Sequence, residues 1–226
     1  MMPSFPSVSF LMTLMLAAAV CAQEKQVVRE VVKDTAGNAV QTYEQYFIQP
    51  VKSNGGGLIP LPVKVPLCPL GINQVLRRDV PGLPVSFGNP YRPSVVHNVY
   101  TTEFVNIELK PSSDNDWPVC KGFSNLWTVD GHSSASDEPP ILVGGKPGHS
   151  YFKIERDEHF VGGNVYKLST IFDGIIGTVQ GPLLGLPQLV LTNDTAKTLL
   201  VKFIKVENAT TTSRAGKLAL RMFPLY

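Results

Sequence analysis

Short runs of β-branched and aromatic residues recur along the chain between clusters of Gly, Pro and Asn. After residue 22, no stretch keeps apolar residues at the i, i+3, i+4, i+7 spacing of an amphipathic helix for three turns. In the run 151–154, Phe152 and Ile154 alternate with Tyr151 and Lys153, which gives a strand one apolar and one polar face. The pattern predicts an all-β fold with short strands at residues 46–48, 71–76, 85–87, 105–109, 126–129, 151–154, 165–168, 189–191 and 199–204.

Two turn clusters near the start of this pattern are more specific than the other loops. Residues 34–38 contain Gly37, which can take a positive φ, and they predict a first hairpin. Residues 54–57 include three consecutive glycines and predict a flexible turn. Pro60 and Pro62 follow this turn and remove two backbone donors, as is typical of an irregular or edge strand.

The N-terminal residues have a different character from the rest of the chain. Residues 10–20 form an apolar run that ends in small residues, and Val20 and Ala22 are small at the positions that a signal peptidase recognises. The run is shorter than the roughly 20 apolar residues that span a bilayer. The sequence therefore predicts a signal peptide at residues 1–22 and a globular domain at residues 23–209.

The predicted leader directs the chain to the secretory pathway, with the cell exterior or wall, the vacuole and the endoplasmic-reticulum body as possible destinations. Residues 210–226 lie beyond the last predicted strand and are short, basic and apolar. They are either a processing segment that is trimmed or a disordered terminus.

Cysteine usage agrees with this route. Cleavage removes Cys21 and leaves Cys68 and Cys120, so a single disulfide is the natural interpretation in an oxidising compartment, with two buried free thiols as the alternative. Glycosylation sequons at Asn193 and Asn208 predict two surface positions.

Composition excludes several classes of function. Charged residues make up 17% of the chain and the net charge is only +2, so a nucleic-acid partner chosen by bulk charge is not expected. No later stretch is apolar enough for a membrane span. The chain has four histidines, His97, His132, His149 and His159. They lie in polar or Gly/Pro-rich surroundings, and no pair has metal-ligand spacing. The sequence therefore predicts neither an enzyme nor a metal site of its own.

Ordered motifs connect the chain to a known family. The pattern Val32-x-Asp34-x-x-Gly37-x-x-Val40, followed by Tyr46-x-Ile48, is similar to the N-terminal signature of the plant Kunitz (soybean trypsin inhibitor type) family. Further marks of that family follow in order: Gly55 to Leu58, Cys68-Pro69-Leu70, Cys120 with Trp127 after it, Phe152-Lys153-Ile154, Tyr166-Lys167-Leu168 and Leu200-Val201-Lys202-Phe203. The likeness extends over about residues 30–206.

The resemblance implies a fold and a cross-link. The fold is a β-trefoil, with twelve strands in three pseudo-repeats that form a capped six-stranded barrel. The resemblance also pairs Cys68 with Cys120, whereas the second disulfide usual in the family is missing. Within the family, residues 45–58, 68–72 and 194–203 resemble the water-soluble chlorophyll proteins of the cabbage group. Two functions are therefore expected: protease inhibitor and pigment carrier.

The inhibitor interpretation rests on a loop. Asn89, Pro90, Tyr91, Arg92 and Pro93 lie where the trypsin-inhibiting relatives carry Ser-Pro-Tyr-Arg-Ile, so the resemblance makes Arg92 the P1 residue that enters the protease specificity pocket. A residue before proline favours the extended conformation that such a loop needs. Proline at P1′ departs from the relatives, because it lacks an N–H and fixes φ. A Pro-stiffened surface loop without this role is the alternative, and some relatives inhibit papain-like cysteine proteases through other loops.

The pigment interpretation rests on Pro60. This residue matches the position whose backbone carbonyl ligates the magnesium of chlorophyll in the chlorophyll proteins, which enclose the pigment in a homotetramer. Beyond Ile72 the chain departs from them, since Val75 and Val80 replace a hydroxyl and an amide. Three charged residues, Arg77, Arg78 and Asp79, also lie in a segment expected to be apolar, where removing a charged side chain from water is costly.

Together these observations favour a Kunitz-type inhibitor whose partner is a serine or papain-like cysteine protease and which needs no cofactor. A chlorophyll-binding homotetramer is the alternative.

Overall fold

The computed structural model describes residues 29–63, 67–111, 120, 122–131, 138–157, 159–160, 163–172, 174–182 and 185–207. The predicted signal peptide, the C-terminal segment 210–226 and the sequon residue Asn208 lie outside the described residues. Within these ranges no helix has the length and apolar character to cross a membrane.

The described residues form twelve strands and two single-turn 3₁₀ helices at Pro147–His149 and Thr195–Lys197. The strands are β1 (Gln45–Pro50), β2 (Leu58–Pro62), β3 (Leu70–Gln74), β4 (Val85–Gly88), β5 (Phe104–Leu109), β6 (Trp127–Val129), β7 (Ile141–Val143), β8 (Phe152–Arg156), β9 (Tyr166–Thr170), β10 (Gly174–Gln180), β11 (Pro187–Thr192) and β12 (Leu200–Lys205).

Six of the strands close into a barrel. Hydrogen-bonded pairing runs through β1, β4, β5, β8, β9 and β12, and β12 pairs with both β1 and β9, which completes the ring. Closure leaves none of these strands with an unpaired edge. In β1 the buried residues Tyr46, Ile48 and Pro50 alternate with more exposed neighbours, so one face of the strand points into the barrel.

The other six strands form three hairpins, β2–β3, β6–β7 and β10–β11, that cap one end of the barrel. The hairpins join one another through single pairs, Gly71 with Leu142, Asn73 with Gln188, and Pro140 with Val190. Each set of four consecutive strands gives two barrel strands and one cap hairpin. The β-trefoil implied by the family resemblance is therefore confirmed.

Large aromatic side chains fill the barrel. Phe87 meets Phe203 edge-on with centroids 5.3 Å apart, and Trp127 meets Phe152 in the same way at 6.2 Å. Tyr46 is fully buried, and its phenol oxygen accepts a hydrogen bond from the Gln41 N–H at 2.9 Å. Burial raises the pKa of Tyr46 to about 12. The core therefore also anchors the chain segment that precedes β1.

Nine strands overlap the runs predicted from the sequence pattern, and β2, β7 and β10 do not. Strand β10 contains Gly174 and Gly177, and glycine has a low strand propensity. Pairing with β11 along its length stabilises the strand instead. Strand β3 ends at Gln74, two residues earlier than predicted.

The predicted first hairpin is reduced to its turn. Gly37 has φ +86°, and the Asp34 N–H donates to the Asn38 carbonyl at 2.8 Å. Only the single bridge between Lys33 and Ala39 continues this pairing, because β1 pairs with β12 and β4 instead.

The disulfide between Cys68 and Cys120 is present, with Cα atoms 5.8 Å apart. The alternative of two free thiols is therefore wrong. In the chain-entropy model, closing a loop across 52 residues contributes about 4 kcal/mol to stability.

The glycines at 55–57 are fixed by packing, contrary to the predicted flexible turn. The Gly56 N–H donates to the Val75 carbonyl at 2.7 Å, and the Gly57 N–H donates to the Val80 carbonyl at 2.8 Å. A β-carbon on Gly56 would overlap the carbonyl oxygens of Arg77 and Val80. Glycine is needed here because the segment after β3 folds directly onto this backbone.

We predict that Gly56→Ala lowers the free energy of unfolding by about 1 to 3 kcal/mol, because the added methyl group must displace backbone. Urea denaturation measures the change. Gly148→Ala is the matched control, since a β-carbon there meets no atom within 4 Å. Equal stabilities of the two variants would show that the segment after β3 is not held against Gly56.

Candidate functional site

The candidate loop, residues 89–96, leaves the barrel directly after β4. It is exposed from residue 91 to residue 96, with 68% of Tyr91, 50% of Val95 and 63% of Val96 accessible to solvent, whereas Asn89 and Pro90 are half-buried. The Arg92 side chain is also exposed. The loop therefore presents both an aromatic ring and a cation to a partner.

Asn89 holds the backbone of the first half of this loop. Its Oδ1 accepts hydrogen bonds from the Tyr91 N–H at 2.8 Å and from the Arg92 N–H at 3.0 Å. This is the turn that Asn side chains form with the following backbone. The two bonds restrict the residues that the sequence predicted to enter a protease pocket.

The chain reverses immediately after Arg92. The Val95 N–H donates to the Arg92 carbonyl at 3.5 Å, and Ser94 has φ +73°. Proline in the second position and a positive φ in the third are the features of a type II turn. The Ser94 N–H also donates to the Tyr43 hydroxyl at 2.8 Å. The extended conformation expected at Arg92 therefore does not continue into the residues that follow it.

Thr42 supports the loop from the barrel side. It is fully buried, its hydroxyl donates to the Val95 carbonyl at 3.0 Å, and it accepts the His97 N–H at 3.0 Å. Thr42 is 53 residues from Val95 in sequence, so no local pattern identified the contact.

The aromatic ring of Tyr91 rests on the residue that precedes β8. It stacks on Tyr151 with centroids 5.9 Å apart and planes 14° apart, and Tyr151 in turn meets Phe104 edge-on at 5.9 Å. Lys153 Nζ lies 4.8 Å from the centroid of the Phe104 ring, a cation–π contact. The ring of Tyr91 is thus exposed on one face and supported on the other.

His97 lies behind the loop. Its Nδ1 is 3.0 Å from the Val95 carbonyl, and its Nε2 is 3.3 Å from Asn89 Nδ2 and 3.6 Å from Glu103 Oε2. The sequence predicted His97 only as a loop residue, and the structure makes it part of the loop's support. His149 and His159 lie elsewhere, and His132 lies outside the described residues. No three His, Cys, Asp or Glu side chains among the described residues could hold a metal ion.

The carbonyl of Pro60 faces away from the cap hairpin to which it belongs. Strands β2 and β3 pair Pro60 with Ile72, and the Val75 N–H donates to the Gly57 carbonyl at 3.0 Å. Hydrogen-bonded pairs alternate along antiparallel strands, so the Pro60–Ile72 pair is not hydrogen-bonded and the Pro60 carbonyl points away from β3. Pro60 also lines a pocket with six other apolar side chains and the disulfide-bonded Cys120: Leu70, Leu83, Leu109, Pro111, Phe123 and Val143.

The three charges that follow β3 are exposed and have partners, whereas the sequence placed them in an apolar region. The Arg77 guanidinium donates to both carboxylate oxygens of Asp79, at 3.2 and 2.6 Å. This hydrogen bonding lowers the pKa of the Asp79 carboxyl. Arg78 donates to the Asn54 side chain at 2.7 Å.

The predicted sequon residue Asn193 is exposed at the end of β11. Its position agrees with the surface location that glycosylation requires.

Comparison with known proteins gives consistent matches. Residues 32–177 match the Kunitz legume family, described as trypsin and protease inhibitor. The chain is 53% identical over 213 residues to Kunitz trypsin inhibitor 2 of Arabidopsis thaliana, which covers 91% of this chain and 94% of that protein.

Solved structures show the same fold. The water-soluble chlorophyll protein of Brassica oleracea var. Botrytis with chlorophyll b has a TM-score of 0.71 and 50% identity, over 79% of this chain and 99% of that chain. Soybean trypsin inhibitor has a TM-score of 0.63 and 22% identity, over 78% of this chain and 100% of that chain, a likeness of fold alone.

Proposed function

We propose, because this chain belongs to the Kunitz legume family of trypsin and protease inhibitors, that it inhibits endopeptidases by binding and not by catalysis. The candidate loop is the proposed contact, and Arg92 is the proposed P1 residue. The observation that carries this proposal is the exposed Arg92 on a backbone that Asn89 restrains.

A restrained loop binds more tightly than a mobile one because less conformational entropy is lost on association. Asn89, Thr42 and Tyr151 supply this restraint from three different parts of the chain. The exposed guanidinium of Arg92 can form a bidentate ion pair with a carboxylate at the base of a trypsin-like pocket. We therefore propose serine proteases of trypsin-like specificity as the first partner class and papain-like cysteine proteases as the second.

The turn after Arg92 opposes this binding. A serine protease must direct its oxyanion donors at the P1 carbonyl, which here faces the Val95 N–H. At 3.5 Å that hydrogen bond is long and weak, so a protease can open the turn at modest cost. Pro93 contributes to this cost, since it favours the turn and lacks an N–H for the protease.

We predict that Arg92→Ala weakens inhibition of trypsin about 100-fold, as truncation of a central interface arginine commonly does. Pro93→Ile is expected to strengthen it about tenfold, because isoleucine restores the N–H and disfavours the turn. Titration of trypsin and papain with each purified variant gives the inhibition constants.

Arg77→Ala is the matched control, since Arg77 is an exposed arginine outside the candidate loop. Trypsin inhibition that is equal in Arg92→Ala and the wild type would place the inhibitory surface elsewhere. Inhibition of papain alone, unchanged by Arg92→Ala, would have the same meaning.

A second candidate function is chlorophyll carriage, favoured by the 50% identity to the chlorophyll protein and by the direction of the Pro60 carbonyl. Bound chlorophyll would supply a magnesium ion, a hard cation that prefers oxygen ligands, and the Pro60 backbone carbonyl would hold it. A carbonyl that points away from its paired strand fits this role. The chain departs from a carrier at the Arg77–Asp79 ion pair, which a bound macrocycle or a homotetramer would desolvate.

We predict that the protein mixed with chlorophyll retains a red absorbance band through a sizing column. The double variant Arg77→Leu, Asp79→Leu is expected to hold about twofold or more pigment per chain, because it removes charges that binding would desolvate. Arg92→Ala is the control that should not change the band. Colourless protein peaks for the wild type and the double variant would exclude carriage by this chain.

We also propose that the protein follows the secretory pathway, to the cell exterior or wall, the vacuole or the endoplasmic-reticulum body. The Cys68–Cys120 disulfide supports an oxidising compartment. Mass spectrometry of the mature protein is expected to find an N-terminus at Gln23 and residues 210–226 trimmed. An intact Met1 would overturn the first expectation, and an intact Tyr226 the second.

A further inference from the structure

We propose that His97 is a positioning residue for the candidate loop, and that its protonation releases the loop and weakens inhibition as pH falls. This inference rests on the proposed function for its effect on a protease. The loop contacts on which it depends are those of the free protein.

The hydrogen-bond network determines which ring nitrogen of His97 carries the hydrogen in the neutral form. The Val95 carbonyl can only accept, so the nearby Nδ1, 3.0 Å away, must carry the hydrogen. In the neutral imidazole the other nitrogen, Nε2, is then an acceptor.

The same reasoning defines the side-chain amide of Asn89. Its Oδ1 accepts two backbone N–H groups, from Tyr91 and Arg92, so its Nδ2 must be the atom that faces His97. Asn89 Nδ2 therefore donates to the neutral His97 Nε2 at 3.3 Å. Neutral His97 thus supports the backbone of Tyr91 and Arg92 through a single intermediate side chain.

A second acceptor lies beside the same nitrogen. Glu103 Oε1 accepts a hydrogen bond from Arg29 at 2.7 Å. The other oxygen, Oε2, is buried without a hydrogen bond in the described part of the chain and lies 3.6 Å from His97 Nε2. Glu103 and Arg29 are the ionisable side chains in this network, and the remaining groups around His97 are neutral: Thr42, Asn89 and Val95.

Protonation changes the partner of Nε2. The imidazolium carries a hydrogen on both nitrogens, so Nε2–H and the Asn89 amide become two donors facing each other. Glu103 Oε2, which has no hydrogen-bond donor among the described residues, can accept the new hydrogen on Nε2, and the negative carboxylate attracts the positive imidazolium. Asn89 then loses the partner that fixes its amide, and the restraint on Tyr91 and Arg92 weakens.

These contacts determine the direction in which the inhibition constant changes with pH. Histidine side chains titrate between about pH 5 and 8, so the neutral ring holds the loop at the upper end of this range. Loss of one hydrogen bond corresponds to a change of about two- to tenfold in an equilibrium. We expect the inhibition constant to rise by this factor between pH 8 and pH 5, apart from the protease's own pH dependence.

The first measurement uses the inhibitor alone. Amide hydrogen exchange by nuclear magnetic resonance gives protection factors for Tyr91 and Arg92 at several pH values between 5 and 8. In the wild type both factors should fall by about two- to tenfold toward pH 5. In His97→Gln, which retains an acceptor for Asn89 and does not titrate, they should stay constant.

Glu103→Gln is the second variant. It keeps an acceptor for Arg29 and removes the charged acceptor that protonated Nε2 would take, so the fall between pH 8 and pH 5 should be smaller than in the wild type. This variant tests the inference independently if His97→Gln does not fold. Protection factors that do not change with pH in the wild type, or that change equally in His97→Gln, would overturn the inference.

The second measurement is the inhibition constant of trypsin over the same pH range, expressed as the ratio of His97→Gln to wild type, which cancels the titration of trypsin. The ratio should fall by about two- to tenfold toward pH 5, because only the wild type weakens. A ratio that is constant with pH would mean that His97 only supports the structure, and would overturn the effect on inhibition. If the chain inhibits no protease while the protection factors respond as expected, the proposed function fails and the role of His97 in positioning the loop stands.

Discussion

The pairing of β12 with both β1 and β9 is the interaction on which the rest of the structure depends. It joins the two ends of the described domain and converts a row of paired strands into a closed barrel. Closure fixes the relative positions of β4 and β5, which pair from Val85 with Leu109 to Gly88 with Asn106. The candidate loop lies within the connection between these two strands: its first end follows β4 directly, and the bridge between Gln41 and Asn98 holds the chain after its second end. A rigid scaffold beneath an exposed loop is the arrangement on which recognition commonly depends.

The sequence predicted the fold class and the position of the candidate loop, but not the residues that support this loop. Alternating apolar residues predict strands where packing and local preference agree, as in β8 and β12. They do not predict β7, which has three residues, or β10, which contains two glycines, because pairing with neighbours forms these strands. The trefoil arrangement came from motifs shared with a family, since no rule of spacing defines it. The cysteine count after cleavage left Cys68 and Cys120 as the candidate pair, and the same motifs indicated that they are joined.

The residues that support the loop could not be found in this way. Thr42, Tyr151 and Glu103 reach the loop from distant parts of the chain, and the barrel brings them together. The turn after Arg92 was missed for a different reason. A residue before proline favours an extended backbone, yet the contacts of Ser94 and Val95 close a turn directly after it. The chlorophyll proposal depends on a backbone carbonyl whose direction strand register determines, whereas the inhibitor proposal depends on the exposed Arg92 side chain and on the turn that follows it.

The threefold arrangement of the strands is not matched by the covalent structure. The disulfide links the chain before β3 in the first repeat to the chain before β6 in the second, and the sequence has no cysteine in the third repeat. The seam between β1 and β12 is therefore closed by noncovalent contacts alone. The disulfide therefore tethers the first two repeats to each other, whereas the main chain and noncovalent contacts join the third repeat to them. Residues 89–96 lie between the two cysteines, so the disulfide makes the chain that carries the candidate loop part of a covalent ring.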